Sequence, residues 1–293
     1  MNIYILYTLT GQVMWGLLPL FWMLLQDVPS MYILATRIVW SALFCYGLIL
    51  QKHLVPELKN VLHDRQEWPY IFGACIMITT NWGCFIYAMT HNHILQASLA
   101  YFINPIVVIL FGAIIFHEHL GMFQRLSILF AAAGLGIAFF LFGQVPYLSL
   151  CICLSWAAYS LLKKKITLDS QISVFIESFS MVPLALAYIA FCEFTSAGAV
   201  GVLQGWHWLL LPATGIVTAV PILFFTAGLK GSPVTISGIC MYLAPSISLL
   251  IGLLNGEALT QPLLVTFSFT WIAVILYLTG VLQITKHLKG HAC

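Results

Sequence analysis

Apolar residues run along this chain in ten long stretches separated by short polar breaks. The pattern predicts ten helices, near 4–25, 30–50, 69–90, 94–116, 121–142, 146–163, 169–192, 206–228, 232–254 and 262–284. About 20 apolar residues in a helix span the hydrocarbon core of a bilayer, and each stretch comes close to or exceeds that length. The longest polar break, 51–68, holds most of the exposed charge, and 55–63 within it reads as a short surface helix. Residues 193–205, with Glu193, Thr195, Ser196 and three glycines, read as an exposed loop. The expected fold class is an all-α polytopic membrane protein.

Composition agrees with the pattern. The chain of 293 residues is 61% hydrophobic and 7% charged, whereas soluble domains carry roughly 25% charged residues. A soluble globule is excluded, and the helices leave no room for a separate soluble domain. Charge then sets orientation. If the first residue lies inside, ten of the eleven Lys and Arg fall in or beside cytoplasmic connections: Lys52, Lys59, Arg65, Arg125, Lys163, Lys164, Lys165, Lys230, Lys286 and Lys289. None falls in an outside connection. Positive residues in short loops favour the cytoplasmic side, so both ends are expected there, in a bacterial inner membrane. The slight positive balance reads as inner-leaflet anchoring; lipid is the expected partner and nucleic acid is not. The first apolar run lacks a basic n-region and a small-residue cleavage site, so it reads as a retained helix.

Eight cysteines, Cys45, Cys75, Cys84, Cys151, Cys153, Cys192, Cys240 and Cys293, sit in or beside apolar runs or end the chain. They read as small core residues, because a disulfide framework needs an oxidising, exposed loop setting. Cys151 and Cys153, two apart on a helix, point to different faces. His117-Glu118-His119 is too compressed for a zinc-binding HExxH helix. No metal and no cofactor is expected.

The chain carries an internal repeat. Trp15-Gly16 echoes Trp156-Ala157, Asn104-Pro105 echoes Ala244-Pro245, and Glu118-His119-Leu120 echoes Glu257-Ala258-Leu259. Trp15 to Pro105 spans 90 positions and Trp156 to Pro245 spans 89. The expected halves are 1–143 and 144–293. Five helices is an odd number, so the second half enters the membrane inverted. Such inverted repeats mark secondary transporters whose site lies near the midplane between the halves.

Several motifs together resemble a known family. Thr80-Asn81-Trp82, the run from His93 to Pro105, Glu118-His119-Leu120 and Gln124 are similar to the RarD family, in the EamA-type branch of the drug/metabolite transporter superfamily. Trp15 to Trp22, Arg37 to Ser41, Tyr159 with Lys163-Lys164, Glu177 with Pro183, Thr218 to Pro221, Tyr242, Pro245, Glu257 and Trp271 extend the likeness. Ala100 stands where the family has Gly, and His119 where it has Arg. The resemblance implies ten helices and an inner-membrane exporter or exchanger of small amphipathic metabolites, amino acids foremost.

Two ionisable residues besides cysteine and tyrosine read as deep in helices, Arg37 and Glu177. A charge at the bilayer centre costs about 2.5–3.5 kcal/mol on insertion scales, so it faces a cavity or a partner. Arg37 suits a substrate carboxylate; Glu177 suits a substrate ammonium or a coupling proton. The competing reading makes them a structural brace, each satisfied by backbone carbonyls or the two paired directly, which would require helix tilt or bending. Pro19, Pro105, Pro221 and Pro245 break or kink helices one, four, eight and nine, and the matched pair in helices four and nine points to the site. Asn81, Trp82, Tyr101, Asn104, Thr218 and Tyr242 surround it, with Trp15 and Trp156 as candidate linings. Lys163, Lys164 and Lys165 read as an orientation anchor, and Glu118 and Glu257 as helix caps or gate braces. Ala132 and Gly136 suggest a close-packing face, in a monomer or homodimer.

A membrane enzyme would need carboxylates, histidines or a nucleophile–base pair gathered at one leaflet. The nine histidines are scattered over loops, and no P-loop is present. Transport by alternating access, with the two halves rocking about a central site, is the reading the sequence favours. An enzyme or a passive channel is the alternative.

Overall fold

The computed structural model describes residues 2–63, 66–90, 94–117, 120–142, 147–254 and short stretches between 261 and 280. Through residue 254 the described residues form eleven helices: α1 Ile3–Trp22, α2 Ser30–Gln51, α3 Val55–His63, α4 Trp68–Thr90, α5 Ile94–Ile115, α6 Met122–Phe142, α7 Tyr147–Lys165, α8 Ser170–Phe194, α9 Leu210–Gly231, α10 Val234–Cys240 and α11 Leu243–Leu254. Among the described residues there is no strand. A 3₁₀ turn, Met23–Leu25, extends α1, and another, Gly205–Leu209, leads into α9. Of the nine long segments expected before residue 255, eight form as single helices with ends within four residues of the pattern, and the ninth divides in two. The tenth falls largely outside the described residues, as do Arg65, His91, His93, Glu118, His119, Glu257, Lys286 and Lys289.

The polarity of the molecule runs inside out. Phe140 is 87% exposed, Leu184 70% and Phe191 63%. Gln12, Ser41, Asn81, Ser160, Lys163, Ser173, Glu177, Thr218 and Thr226 are buried. Water would drive the opposite sorting, so the surrounding solvent is hydrocarbon. Ile3–Leu25, Ser30–Gln51, Ser170–Phe194 and Gly205–Gly231 are long and apolar enough to cross a membrane.

The helices pack mainly on partners distant in sequence: α1 on α9 and α11, α2 on α8 and α9, α4 on α7, and α5 on α7 and α10. Small residues make these approaches close. A Cβ at Gly215 would overlap the backbone of Trp40, and the Ser41 hydroxyl donates to the Gly215 carbonyl at 3.2 Å. A Cβ at Gly228 would overlap Thr8 and the Tyr4 carbonyl. On α6, Gly134 packs against Phe269, while the space beside Gly136 is open and Ala132 is exposed.

The four prolines behave differently. Pro245 coincides with a break: the helix expected over 232–254 divides at Met241–Tyr242 into α10 and α11. A proline has no N–H to donate, and its ring crowds the carbonyl four residues earlier, which here belongs to Met241. Pro105 and Pro221 lie inside continuous helices, and Pro19 precedes the 3₁₀ turn that ends α1. The expected match of breaks in helices four and nine is therefore not seen.

One end of the bundle is basic. There Leu54 and, from α3, Val55, Leu58 and Val61 pack onto a cluster with Ile49, Ile71, Tyr159, Ile166 and Ile172. The Glu67 carboxylate accepts the backbone N–H of Thr167 at 3.1 Å and of Leu168 at 3.4 Å, and the Thr167 hydroxyl. It thus ties the α3–α4 connection to the α7–α8 turn. At the opposite end Glu193 accepts the N–H groups of Ala199 (2.9 Å) and Val200 (3.3 Å), ordering the loop after α8.

Candidate functional site

Aromatic residues fill the middle of the bundle. Trp15 of α1 meets Trp156 of α7 edge-on, with centroids 5.5 Å apart, and both rings contact Phe225 of α9 at 5.5 and 5.6 Å. Trp156 also touches Tyr159, one turn on, at 5.6 Å. Edge-on and tilted pairs at such separations are favoured by the ring quadrupole. The two tryptophans that the sequence repeat makes equivalent are thus in contact.

On the same helices and their neighbours, five buried polar atoms have no hydrogen-bond partner among the described residues: Gln12 Nε2, Asn104 Oδ1, Trp156 Nε1, Thr218 Oγ1 and the Tyr242 hydroxyl. Leaving such an atom unpaired costs about 1–3 kcal/mol, so a cluster of them calls for an explanation. Their depth supplies one. Gln12 is the tenth of twenty residues in α1 and Asn104 the eleventh of 22 in α5. Trp156 is the tenth of 19 in α7 and Thr218 the ninth of 22 in α9. Tyr242 occupies the α10–α11 break. These helices pack on one another, so the set lies at mid-length of the bundle. Gln12 and Trp156 offer donors, Asn104 an acceptor, and Thr218 and Tyr242 either. A small polar ligand would find both kinds of partner against aromatic faces.

Arg37, the eighth residue of α2, flanks this centre toward the opposite end from the basic one. Its guanidinium carbon lies 4.9 Å from the Trp82 ring centroid and 5.8 Å from that of Trp22. Both are within cation–π range. The side chain is half-buried.

Glu177, the eighth residue of α8, is differently placed. One carboxylate oxygen accepts from Lys163 Nζ at 2.7 Å and from the Ser173 hydroxyl at 3.1 Å; the other accepts from the Tyr159 hydroxyl at 3.1 Å. Lys163 also donates to Ser173 at 2.7 Å. The exposures of the two charged side chains are 0% and 5%. This corrects two expectations. Glu177 is paired, but with Lys163 and not Arg37. The reason is depth: Arg37 and Glu177 each lie about two turns from the N-terminus of their helix, and α2 and α8 start at opposite ends of the bundle. The reading of three lysines as one orientation anchor also gives way. Lys163 is buried in the ion pair, Lys164 donates to the carbonyls of Leu229 (2.8 Å) and Ser232 beyond the end of α9, and Lys165 lies over Tyr70 at 5.7 Å.

Of the remaining candidates, Asn81 donates its amide to the Ile152 carbonyl at 2.7 Å and reaches Ser155 at 3.4 Å, so it joins α4 to α7. The Tyr101 side chain lies outside those described. Gln12 and Ser173, and the role of Lys163 beside Glu177, escaped the sequence reading. A usable signal existed: Tyr159 and Lys163, and Ser173 and Glu177, are each four apart on otherwise apolar helices, which puts each pair on one face. The seven cysteines among the described residues are free thiols, and Cys84 of α4 and Cys151 of α7 stand with sulfurs 3.1 Å apart. Among the described residues no group of His, Cys, Asp or Glu is placed to hold a metal.

Comparison with known proteins agrees with this architecture. Residues 2–140 match the EamA-like transporter family. The chain is 37% identical over 292 residues to YojE of Bacillus subtilis (strain 168), described as an uncharacterized transporter; the match covers 98% of this chain and 97% of that one. It is 32% identical over 274 residues to protein RarD of Escherichia coli (strain K12), covering 93% of each. It is 28% identical to the chloramphenicol-sensitive protein RarD of Pseudomonas aeruginosa, covering 93% of this chain and 92% of that one. A crystal structure with 18% identity superposes with a TM-score of 0.73 over 93% of this chain and 96% of the other, which shows the fold. The inside-out polarity and these full-length relatives lead to one conclusion: the chain belongs to the RarD family of EamA-like transporters, within the drug/metabolite transporter superfamily.

Proposed function

We propose that the protein exports or exchanges small amphipathic metabolites, amino acids foremost, across a bacterial inner membrane. Its ten spans form two inverted halves with both ends in the cytoplasm, and alternating access carries the substrate past a central site. The observation that carries this reading is the set of five unpartnered polar atoms at mid-length of α1, α5, α7, α9 and the α10–α11 break. A site of donors and acceptors at mid-depth, walled by Trp15, Trp156 and Phe225, suits a molecule with a polar head and an apolar body. Arg37, between the faces of Trp82 and Trp22, is the group for a carboxylate. The contact of Trp15 with Trp156 supports the pseudo-twofold relation of the halves.

The test is thermal unfolding in detergent against the twenty amino acids, small peptides, polyamines and chloramphenicol, with Arg37→Ala alongside. A ligand at a hundred times its dissociation constant stabilises the folded state by about 2.7 kcal/mol. An amino acid is expected to raise the midpoint of the wild type and to leave folded Arg37→Ala unmoved. A panel without any shift, together with a lower midpoint for Arg37→Ala alone, would make Arg37 a brace and move the substrate out of the amino-acid class.

A further inference from the structure

The Lys163–Glu177 pair occupies the same place in the second half that Trp22 and Arg37 occupy in the first. Arg37 and Glu177 are each the eighth residue of the second long helix of their half, and Trp22 and Lys163 each lie in the last turn of the preceding long helix. The two arrangements differ in what holds the cation. Arg37 lies over the faces of Trp82 and Trp22. Lys163 is neutralised by a carboxylate at 2.7 Å.

The pair is also continuous with the centre. Trp15 touches Trp156, Trp156 touches Tyr159, and Tyr159 donates to Glu177 while its ring lies 5.6 Å from Lys163 Nζ. A mid-depth ligand moving toward the basic end therefore meets this pair next. Lys163 has three donors and uses two, on Glu177 and Ser173. Apolar residues of equal volume commonly stabilise a fold as well as a buried ion pair does, and charges within membrane helices mark transport pathways.

From this we infer that Lys163 and Glu177 form a zwitterion-selective gate at the basic end. The inference rests on the transport reading above. In the conformation described here each charge satisfies the other. When the basic end opens, a substrate carboxylate takes Lys163 and its ammonium takes Glu177. One internal ion pair is exchanged for two between protein and substrate, and the site stays neutral without a proton. A lone carboxylate or a lone amine would leave one buried charge uncompensated. The gate thus selects for both ends of an amino acid at once.

The test uses proteoliposomes of wild type, Glu177→Gln, Lys163→Gln and the apolar double variant Lys163→Met/Glu177→Met. The probes are leucine, 4-methylpentanoate, which lacks the amine, and 3-methylbutylamine, which lacks the carboxylate. Wild type is expected to transport leucine at least tenfold better than either analogue. Glu177→Gln should turn toward 4-methylpentanoate and Lys163→Gln toward 3-methylbutylamine, each by at least tenfold relative to leucine. The double variant should fold, keep its Arg37-dependent stabilisation by leucine, and lose transport. Selectivity unchanged in both single variants, or a double variant that transports leucine as wild type does, overturns the gate and leaves the central site standing. A wild type that neither transports leucine nor is stabilised by any amino acid overturns the amino-acid reading on which the gate rests. Should the single variants fail to fold, Ser173→Cys reads the same event. Ser173 is buried against both charges, so a hydrophilic thiol reagent applied at the basic end should modify that cysteine only during leucine turnover. Modification that ignores leucine, or never occurs, rejects the gate.

Discussion

At the scale of single residues, the charges carry the most information. Removing one partner of a buried ion pair leaves an uncompensated charge, which costs about 3–5 kcal/mol, whereas replacing both with apolar side chains is often neutral. Lys163→Met and Glu177→Leu alone are therefore each expected to lower stability by about that amount, and a variant carrying both changes by about 1 kcal/mol or less. Denaturant unfolding in detergent checks this, and the non-additivity is the signature. Part of this was legible in the sequence. Arg37 and Glu177 stand out as charges in apolar runs. Lys163 does not, because it opens a run of three lysines at a helix end, where the rule for cytoplasmic charge accounts for all of them. Only the fold shows that adjacent positions on one helix turn face a carboxylate, a helix terminus and a tyrosine ring. Gln12 is hidden for the opposite reason: one amide in an apolar helix looks like ordinary packing until its Nε2 is found without a partner.

At the scale of helices, small side chains decide the distances. Gly215 lets α9 ride on the backbone of α2 at Trp40 and Ser41. Gly215→Val would force the two apart, and overpacking of this kind costs about 1–3 kcal/mol. The expected outcome is a lower unfolding midpoint, with a smaller fall for Gly215→Ala. Cys84 and Cys151 join α4 to α7 at a sulfur separation of 3.1 Å. A mild thiol oxidant should link them, and peptide mapping of the oxidised protein should recover 84 and 151 in one fragment; Cys84→Ser removes it. Helix positions were legible because apolar length in a membrane is set by the bilayer. The short helix α3 was legible too, because its apolar positions fall on one face. What proline does was less so. It removes one donor and crowds one carbonyl wherever it stands, but Pro245 accompanies a break and Pro105 does not, and that depends on neighbours the sequence does not name.

At the scale of the whole molecule, alternating access makes a prediction of its own. Single cysteines placed along α5 and along α10–α11 should change their labelling in opposite senses when substrate is added, one helix gaining reagent access from the side the other loses. Both faces labelling together under every condition would contradict rocking halves. The packing plan has one more consequence, for how the chain is made. Helices of the first half find their main partners in the second: α1 on α9 and α11, α2 on α8 and α9, α4 and α5 on α7. Glu67 waits for Thr167 and Leu168, which lie 100 and 101 positions later. At about 5–20 residues per second of synthesis, that wait lasts roughly 5–20 s. During it the first helices lie in lipid or in the insertion machinery with Ser41 and Asn81 unmatched. A ribosome that stalls between residues 143 and 167 would leave a membrane-inserted but unfinished half, an expected target for quality-control proteases.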